Sequence, residues 1–208
     1  TNDIRAFATT SSGNLYIAET NAIDYLNTSS GDITAIYGKG VTTYTGFPMG
    51  SFIEDIFVDS MDGLWVATWG NGIYWLKKGS NTFFNFTKKT TQGNLRTDKI
   101  QSITEDSHGR IWIGTFLEGV CFYDPTKKKI ETSLGEQYQS SELNSKDIKV
   151  IHHDSNGFLW VGTSSGLYHI NVAKKSQFEV VSHNNAISST FGGHPSSNQI
   201  LDIYETQD

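Results

Sequence analysis

A β-propeller made of four-stranded blades is the fold that this 208-residue sequence predicts, from three observations. First, one pattern recurs at intervals of 47 to 49 residues: Ile4 to Leu26, Ile53 to Leu76, Ile100 to Tyr123 and Ile148 to Ile170, with a fifth start at Ile200. Second, an aromatic residue stands 12 positions after each opening isoleucine, at Tyr16, Trp65, Trp112 and Trp160. Third, the apolar runs are short, rich in aromatic and β-branched residues, and broken by turn residues, without helical periodicity. A repeat of 40 to 50 residues holding four strands is the signature of a propeller blade, because a twisted sheet with two apolar faces covers both by stacking on its neighbours.

The third copy shows how each element arises. Ile100 to Glu105 reads as a first strand and Ile111 to Thr115 as a second. Between them Asp106 and Ser107 bond nearby amides, and Gly109 supplies the positive φ of a hairpin turn. Residues 116 to 119 reverse the chain into a third strand, Val120 to Asp124, and Pro125 turns it into a fourth near Lys129 to Leu134. The other copies place fourth strands near Ile33 to Gly38, Phe83 to Lys88 and Phe178 to His183. Blades are thus expected at 4–38, 53–88, 100–134 and 148–183, with 200–208 opening a fifth, in one partial propeller domain spanning 1–208. Tyr16, Trp65, Trp112, Trp160, Gly109, Gly157, Asp106 and Asp154 are scaffold positions, the large rings filling space between blades.

Composition narrows the function. A chain 37% hydrophobic and 12% aromatic with 3 prolines is ordered, and net charge −6 without a basic stripe excludes a nucleic-acid footprint. Lys127, Lys128 and Lys129 follow Asp124 and Pro125 and read as a solvated turn. The single cysteine, Cys121, lies in a strand-type run as a small buried hydrophobe and allows no internal disulfide. No apolar run is long enough to span a membrane, and the first residues lack signal-peptide character. His152 and His153 alternate across a strand and cannot chelate one ion together. No metal-ligand motif or cofactor is expected.

The pattern IxxIxxDSxGxxWxGT followed by GL, clearest over Ile100 to Val120 and Ile148 to Leu167, resembles the two-component regulator propeller repeat. The second copy has Ala67 for glycine and Gly63 displaced by one; the first has Tyr16 for tryptophan and no aspartate before Gly13. The resemblance implies the extracytoplasmic sensor region of a hybrid two-component histidine kinase of the Bacteroides type. It further implies a periplasmic location, oligosaccharide ligands from polysaccharide breakdown, and control of degradation genes. Such propellers have seven blades, so the four here imply a fragment that holds no kinase and is not itself an enzyme. Exposed terminal blades, or sensor dimerisation, would drive self-association.

Ligand contacts are expected where the repeat varies. The interblade links carry Tyr44, Phe47, Arg96, Tyr138, Asn185 and His194, and the turns between second and third strands add Trp69, Asn71, Phe116 and Glu118. These are expected to share one rim, while the uniform Asp-Ser turns make the opposite rim structural. Trp69, flanked by Gly70 and Gly72, is expected to stand free of the sheet as a sugar-stacking ring, or to pack on a neighbouring loop or domain.

Two other classes stay open. The turn resembles the Asp-box of sialidases, but there the aspartate is two residues before glycine, whereas Asp106 and Asp154 are three before, and arginines are few (Arg5, Arg96, Arg110). A propeller lyase would need an acid–base pair near the axis, for which His153 and Glu105 are candidates. A non-catalytic interaction scaffold has the same fold.

Overall fold

A computed structural model describes residues 3–38, 40–132, 146–172, 180–182 and 199–206. It contains four antiparallel meanders. The first is β1 (Ile4–Thr9), β2 (Leu15–Glu19), β3 (Ala22–Leu26) and β4 (Ile33–Tyr37); the second is β5 (Ile53–Val58), β6 (Leu64–Thr68), β7 (Ile73–Leu76) and β8 (Phe83–Phe86). The third is β9 (Ile100–Glu105), β10 (Ile111–Thr115), β11 (Val120–Asp124) and β12 (Lys129–Thr132). The fourth is β13 (Ile148–His153), β14 (Phe158–Thr163), β15 (Gly166–Asn171) and β16 (Val180–Ser182). The sheets are propeller blades. The expected limits of the last strand, Phe178 and His183, lie outside the described residues.

The chain divides into two compact units, Thr1–Ile103 and Thr104–Asp208, with the division inside β9. In the first unit the core joins Ile23 and Ile36 of the first blade to Ile53, Leu64, Val66 and Tyr74 of the second. In the second it joins Trp112 and Phe122 to Ile148, Val161, Tyr168 and Ile170.

Two clasps hold each well-formed blade, one at each end. At the β5–β6 turn the Asp59 carboxylate accepts Trp65 Nε1 at 2.8 Å together with the amides of Met61 and Gly63. Asp106 does the same for Trp112 Nε1 at 2.7 Å and the amides of His108 and Arg110. Asp154 repeats it with Trp160 Nε1 at 2.7 Å and the amides of Asn156 and Phe158. The tryptophan therefore does more than fill space: its indole N–H is the internal partner that lets a buried carboxylate tie the hairpin shut. At the other end Thr68, Thr115 and Thr163 donate their hydroxyls to the carbonyls of Gly72, Gly119 and Gly166, closing the second-to-third strand turn.

Local departures from the repeat have local causes. In the second blade Asp62 occupies the turn position that glycine holds elsewhere, with φ +60°. Gly63 beside it is required because a Cβ would come within 2.6 Å of Asp59 Oδ2. In the first blade Thr10 stands in for the aspartate, its hydroxyl accepting the Asn14 amide at 3.1 Å, and Tyr16 has no indole to clasp.

Consecutive blades meet through the glycine of Trp-x-Gly. A Cβ on Gly114 would lie 2.7 Å from Ile148 Cγ2, and one on Gly162 would lie 2.7 Å from Ile200 Cγ2. Ile200 also donates its amide to the Thr163 carbonyl at 3.0 Å, so the fifth copy's first residue is seated on the fourth blade.

One acid is enclosed between blades of the first unit. Asp55 on β5 accepts the Ile103 amide at 2.9 Å, and burial pushes its carboxyl up to about 6. A folded value above the unfolded one means that this group's contribution is complete below the ordinary carboxylate range and is lost as pH rises through about 6. Asp55→Asn is therefore expected to match wild type near pH ~4 and to exceed its stability by on the order of 2–3 kcal/mol near pH ~7.5, read by urea unfolding at each pH.

Candidate functional site

The β6–β7 loop is built as a rigid platform for Trp69. The Trp69 amide donates to the Phe52 carbonyl at 2.8 Å, and the Gly70 and Gly72 amides both donate to the Asp98 carbonyl at 3.0 and 2.9 Å. Asp98 is itself held in place, its carboxylate accepting the Lys88 amide at 2.6 Å. Gly72, at φ +76°, turns the chain so that its carbonyl meets the Thr68 hydroxyl. Both flanking links thus grip this loop through its backbone.

The Trp69 ring is 37% exposed, whereas Trp65 and Trp112 are 1% and 0% exposed. It does not stand free, as the flanking glycines suggest from sequence. Trp69 and Lys99 form an antiparallel bridge, and the Lys99 ammonium lies 4.9 Å from the ring centroid. The cause is the link 88–99, which runs back beside the loop and brings its last lysine over the ring. A cation held on an aromatic face contributes about 0.5–1 kcal/mol at an exposed site, which helps fix the ring's orientation.

Asn71 is exposed, but its carboxamide is in use: Nδ2 donates to Ser51 Oγ at 2.9 Å, and its backbone carbonyl accepts Asn85 Nδ2 at 3.1 Å. Arg96 is exposed on the link that carries Asp98 and Lys99, two residues from the carbonyl that holds the platform. The first unit thus groups Trp69 and Asn71 on one loop with Arg96 on its buttress. In the second unit Phe116 is half-buried with Lys149 Nζ 5.9 Å from its ring, and Lys149 pairs with Asp147 at 2.9 Å. Glu118 is exposed there, beside Leu117 at φ +64°. Tyr138, Asn185 and His194 lie outside the described residues.

Two other link residues are not on this rim. Phe47 packs inside the first unit against Tyr37, Tyr74 and Phe83, with ring centroids 4.2, 4.3 and 5.2 Å away. Tyr44 follows it to the opposite end of the blades, because Thr45 hydrogen-bonds with Asn81 and Phe83 beside the β7–β8 turn. Link length alone does not reveal this doubling back.

The enzymatic candidates are differently placed. His153 is partly buried, and burial lowers its pKa from the usual imidazole value. Among the described residues no group of three His, Cys, Asp or Glu side chains is arranged to hold a metal ion. Nor is any helix of the described residues long and apolar enough to cross a membrane.

Blades with an Asp–Trp clasp and a Thr–Gly clasp define a repeat-built β-propeller. Its third and fourth copies belong to the two-component regulator propeller family, whose model matches residues 94–116 and 142–165. Among solved structures, the chain is similar to the extracellular domain assigned to the hybrid two component system BT3049 from B. thetaiotaomicron, with TM-score 0.69 and 22% identity over 95% of this chain and 24% of that one. The extracellular domain assigned to the hybrid two component system BT4673 of the same organism matches with TM-score 0.64 and 22% identity, over 86% of this chain and 24% of that one. Virginiamycin B lyase from Staphylococcus aureus matches with TM-score 0.59 and 16% identity, over 86% of this chain and 55% of that one. No curated protein matches the chain. The chain therefore spans about a quarter of the length of the two-component structures it resembles.

Proposed function

We propose that this chain is part of the periplasmic ligand-sensing region of a hybrid two-component system, recognising an oligosaccharide whose capture is signalled to degradation genes. The observation that carries a ligand site here is Trp69: the repeat does not call for it, it is 37% exposed, and backbone bonds from both links hold its loop. An aromatic ring on a preorganised loop offers stacking area without an ordering cost, which suits the apolar face of a sugar. The family of the third and fourth blades and the two-component neighbours support the sensing role. The lyase alternative draws on fold alone, at 16% identity.

Trp69→Ala is expected to weaken binding of a matching oligosaccharide by roughly tenfold or more in titration calorimetry, with the thermal midpoint nearly unchanged, since the loop is held through its backbone. Unaltered affinity in a folded variant removes Trp69 from the site.

A further inference from the structure

A cavity of about 600 Å³ opens in the first unit at the other end of the blades, between the β1–β2, β5–β6 and β7–β8 turns. It exists where the repeat is broken. Thr10 and Tyr16 both line it, and they occupy the positions that hold the aspartate and tryptophan of the clasp in the other three blades. Instead of a clasped indole, Tyr16 meets Tyr25 across the strands as a tilted pair with centroids 5.0 Å apart. The Tyr25 hydroxyl accepts Asn14 Nδ2 at 2.8 Å, which orients the second ring.

The far wall is built rather than left over. Link residue Thr45 donates its amide to the Asn81 carbonyl at 2.9 Å and accepts the Phe83 amide at 2.8 Å, forming a parallel bridge with Thr82. Gly46, at φ +85°, permits that approach, since a Cβ there would lie 2.5 Å from the Phe83 carbonyl oxygen. With Phe47 locked in the core two residues further on, Tyr44 is fixed as a third ring on the cavity.

The charges on the lining are committed elsewhere. Asp62, its one carboxylate, accepts the Ser11 amide at 2.7 Å, the Ser11 hydroxyl at 2.6 Å and Lys78 Nζ at 2.7 Å. The Lys77 ammonium lies over Trp75 and Phe84, 4.8 and 4.9 Å from the ring centroids. What faces the cavity is therefore aromatic carbon, hydroxyl and carboxamide. That combination selects an uncharged ligand with an apolar face and a rim of hydroxyls. The volume falls within the usual range for small-ligand pockets, roughly 300–1,000 Å³.

We propose that this cavity is a second binding site, taking an uncharged mono- or disaccharide against Tyr16, Tyr25 and Tyr44, with Asn81 reading its hydroxyls. The site is separate from the Trp69 loop and does not depend on it.

The test compares three forms of the chain by saturation-transfer NMR and calorimetry: wild type, Trp69→Ala, and the double variant Thr10→Asp with Tyr16→Trp. The probes are the common neutral hexoses, xylose, N-acetylglucosamine and their 1,4- and 1,3-linked disaccharides at millimolar concentration. At least one sugar is expected to bind wild type and Trp69→Ala equally and to lose roughly tenfold or more in the double variant. Because that variant installs the clasp of the other blades, its thermal midpoint is expected to stay or rise. Should it fail to fold, Tyr44→Ser with Asn81→Ala supplies the same loss. The proposal is overturned if no sugar of the panel binds wild type, or if bound sugars keep their affinity in the cavity variants. Loss in Trp69→Ala alone also overturns it, while upholding the loop site.

Discussion

Asp106→Ala is expected to cost about 3–5 kcal/mol of stability, because it strands a buried charge. The Asp106 carboxylate accepts Arg110 Nε at 2.6 Å and Trp112 Nε1 at 2.7 Å, with side chains 0% and 6% exposed for aspartate and arginine. Arg110 also donates from Nη2 to the Val172 carbonyl at 2.7 Å, and its guanidinium lies 5.5 Å from the Trp112 and Phe122 ring centroids. Removing the carboxylate leaves the guanidinium and an indole N–H without their acceptor where water does not replace it. Urea unfolding should show a lower midpoint, and adding Arg110→Met should recover part of the loss by removing the unpaired charge. An equal loss in the single and double variants would show that the carboxylate acts through its backbone bonds alone.

Gly114→Val is expected to destabilise by about 3 kcal/mol, the upper end of the usual cost of overpacking. Even a methyl at Gly114 would lie 2.7 Å from Ile148 Cγ2 and 3.5 Å from Ile151 Cγ2. Ile148 is fully buried and Ile151 nearly so, and Val161 and Ile170 share their cluster, leaving little room to yield. Hydrogen exchange should locate the damage, with amides of β13 losing protection before those of β11, since β11 lies on the far side of β10 in its own sheet. Gly114→Val with Ile148→Ala should regain stability relative to Gly114→Val alone, which a purely conformational penalty on the glycine would not allow.

The scaffold was legible because its signals are local. Turn residues and alternating apolar runs mark Ile100–Glu105, Ile111–Thr115 and Val120–Asp124, and these are β9, β10 and β11 to the residue. The clasp left a trace that spacing alone could have exposed: Asp59, Asp106 and Asp154 each stand six residues before a tryptophan, and the first copy lacks both partners. That the carboxylate reaches the indole depends on the hairpin's three-dimensional course, so the aspartate reads from sequence only as a turn former. Trp69 was conspicuous as an unrepeated aromatic, whereas Lys99 over its ring comes from a link 30 residues downstream. The tyrosine cavity was hidden for the same reason. It needs residues 40–50 to double back onto β7–β8, an outcome decided by Phe47 finding a socket among Tyr37, Tyr74 and Phe83.

The contact of Gly114 with Ile148, repeated by Gly162 with Ile200, has a bearing on how such a gene grows. Each segment of about 48 residues begins with its own plug, the isoleucine, and carries its own socket, the glycine. Tandem duplication of one segment therefore inserts a blade whose two joints are already complementary to the old ones, with no compensating mutation. Duplicates are then free to drift wherever neither joint is involved, as in a first copy that has surrendered its Asp–Trp pair.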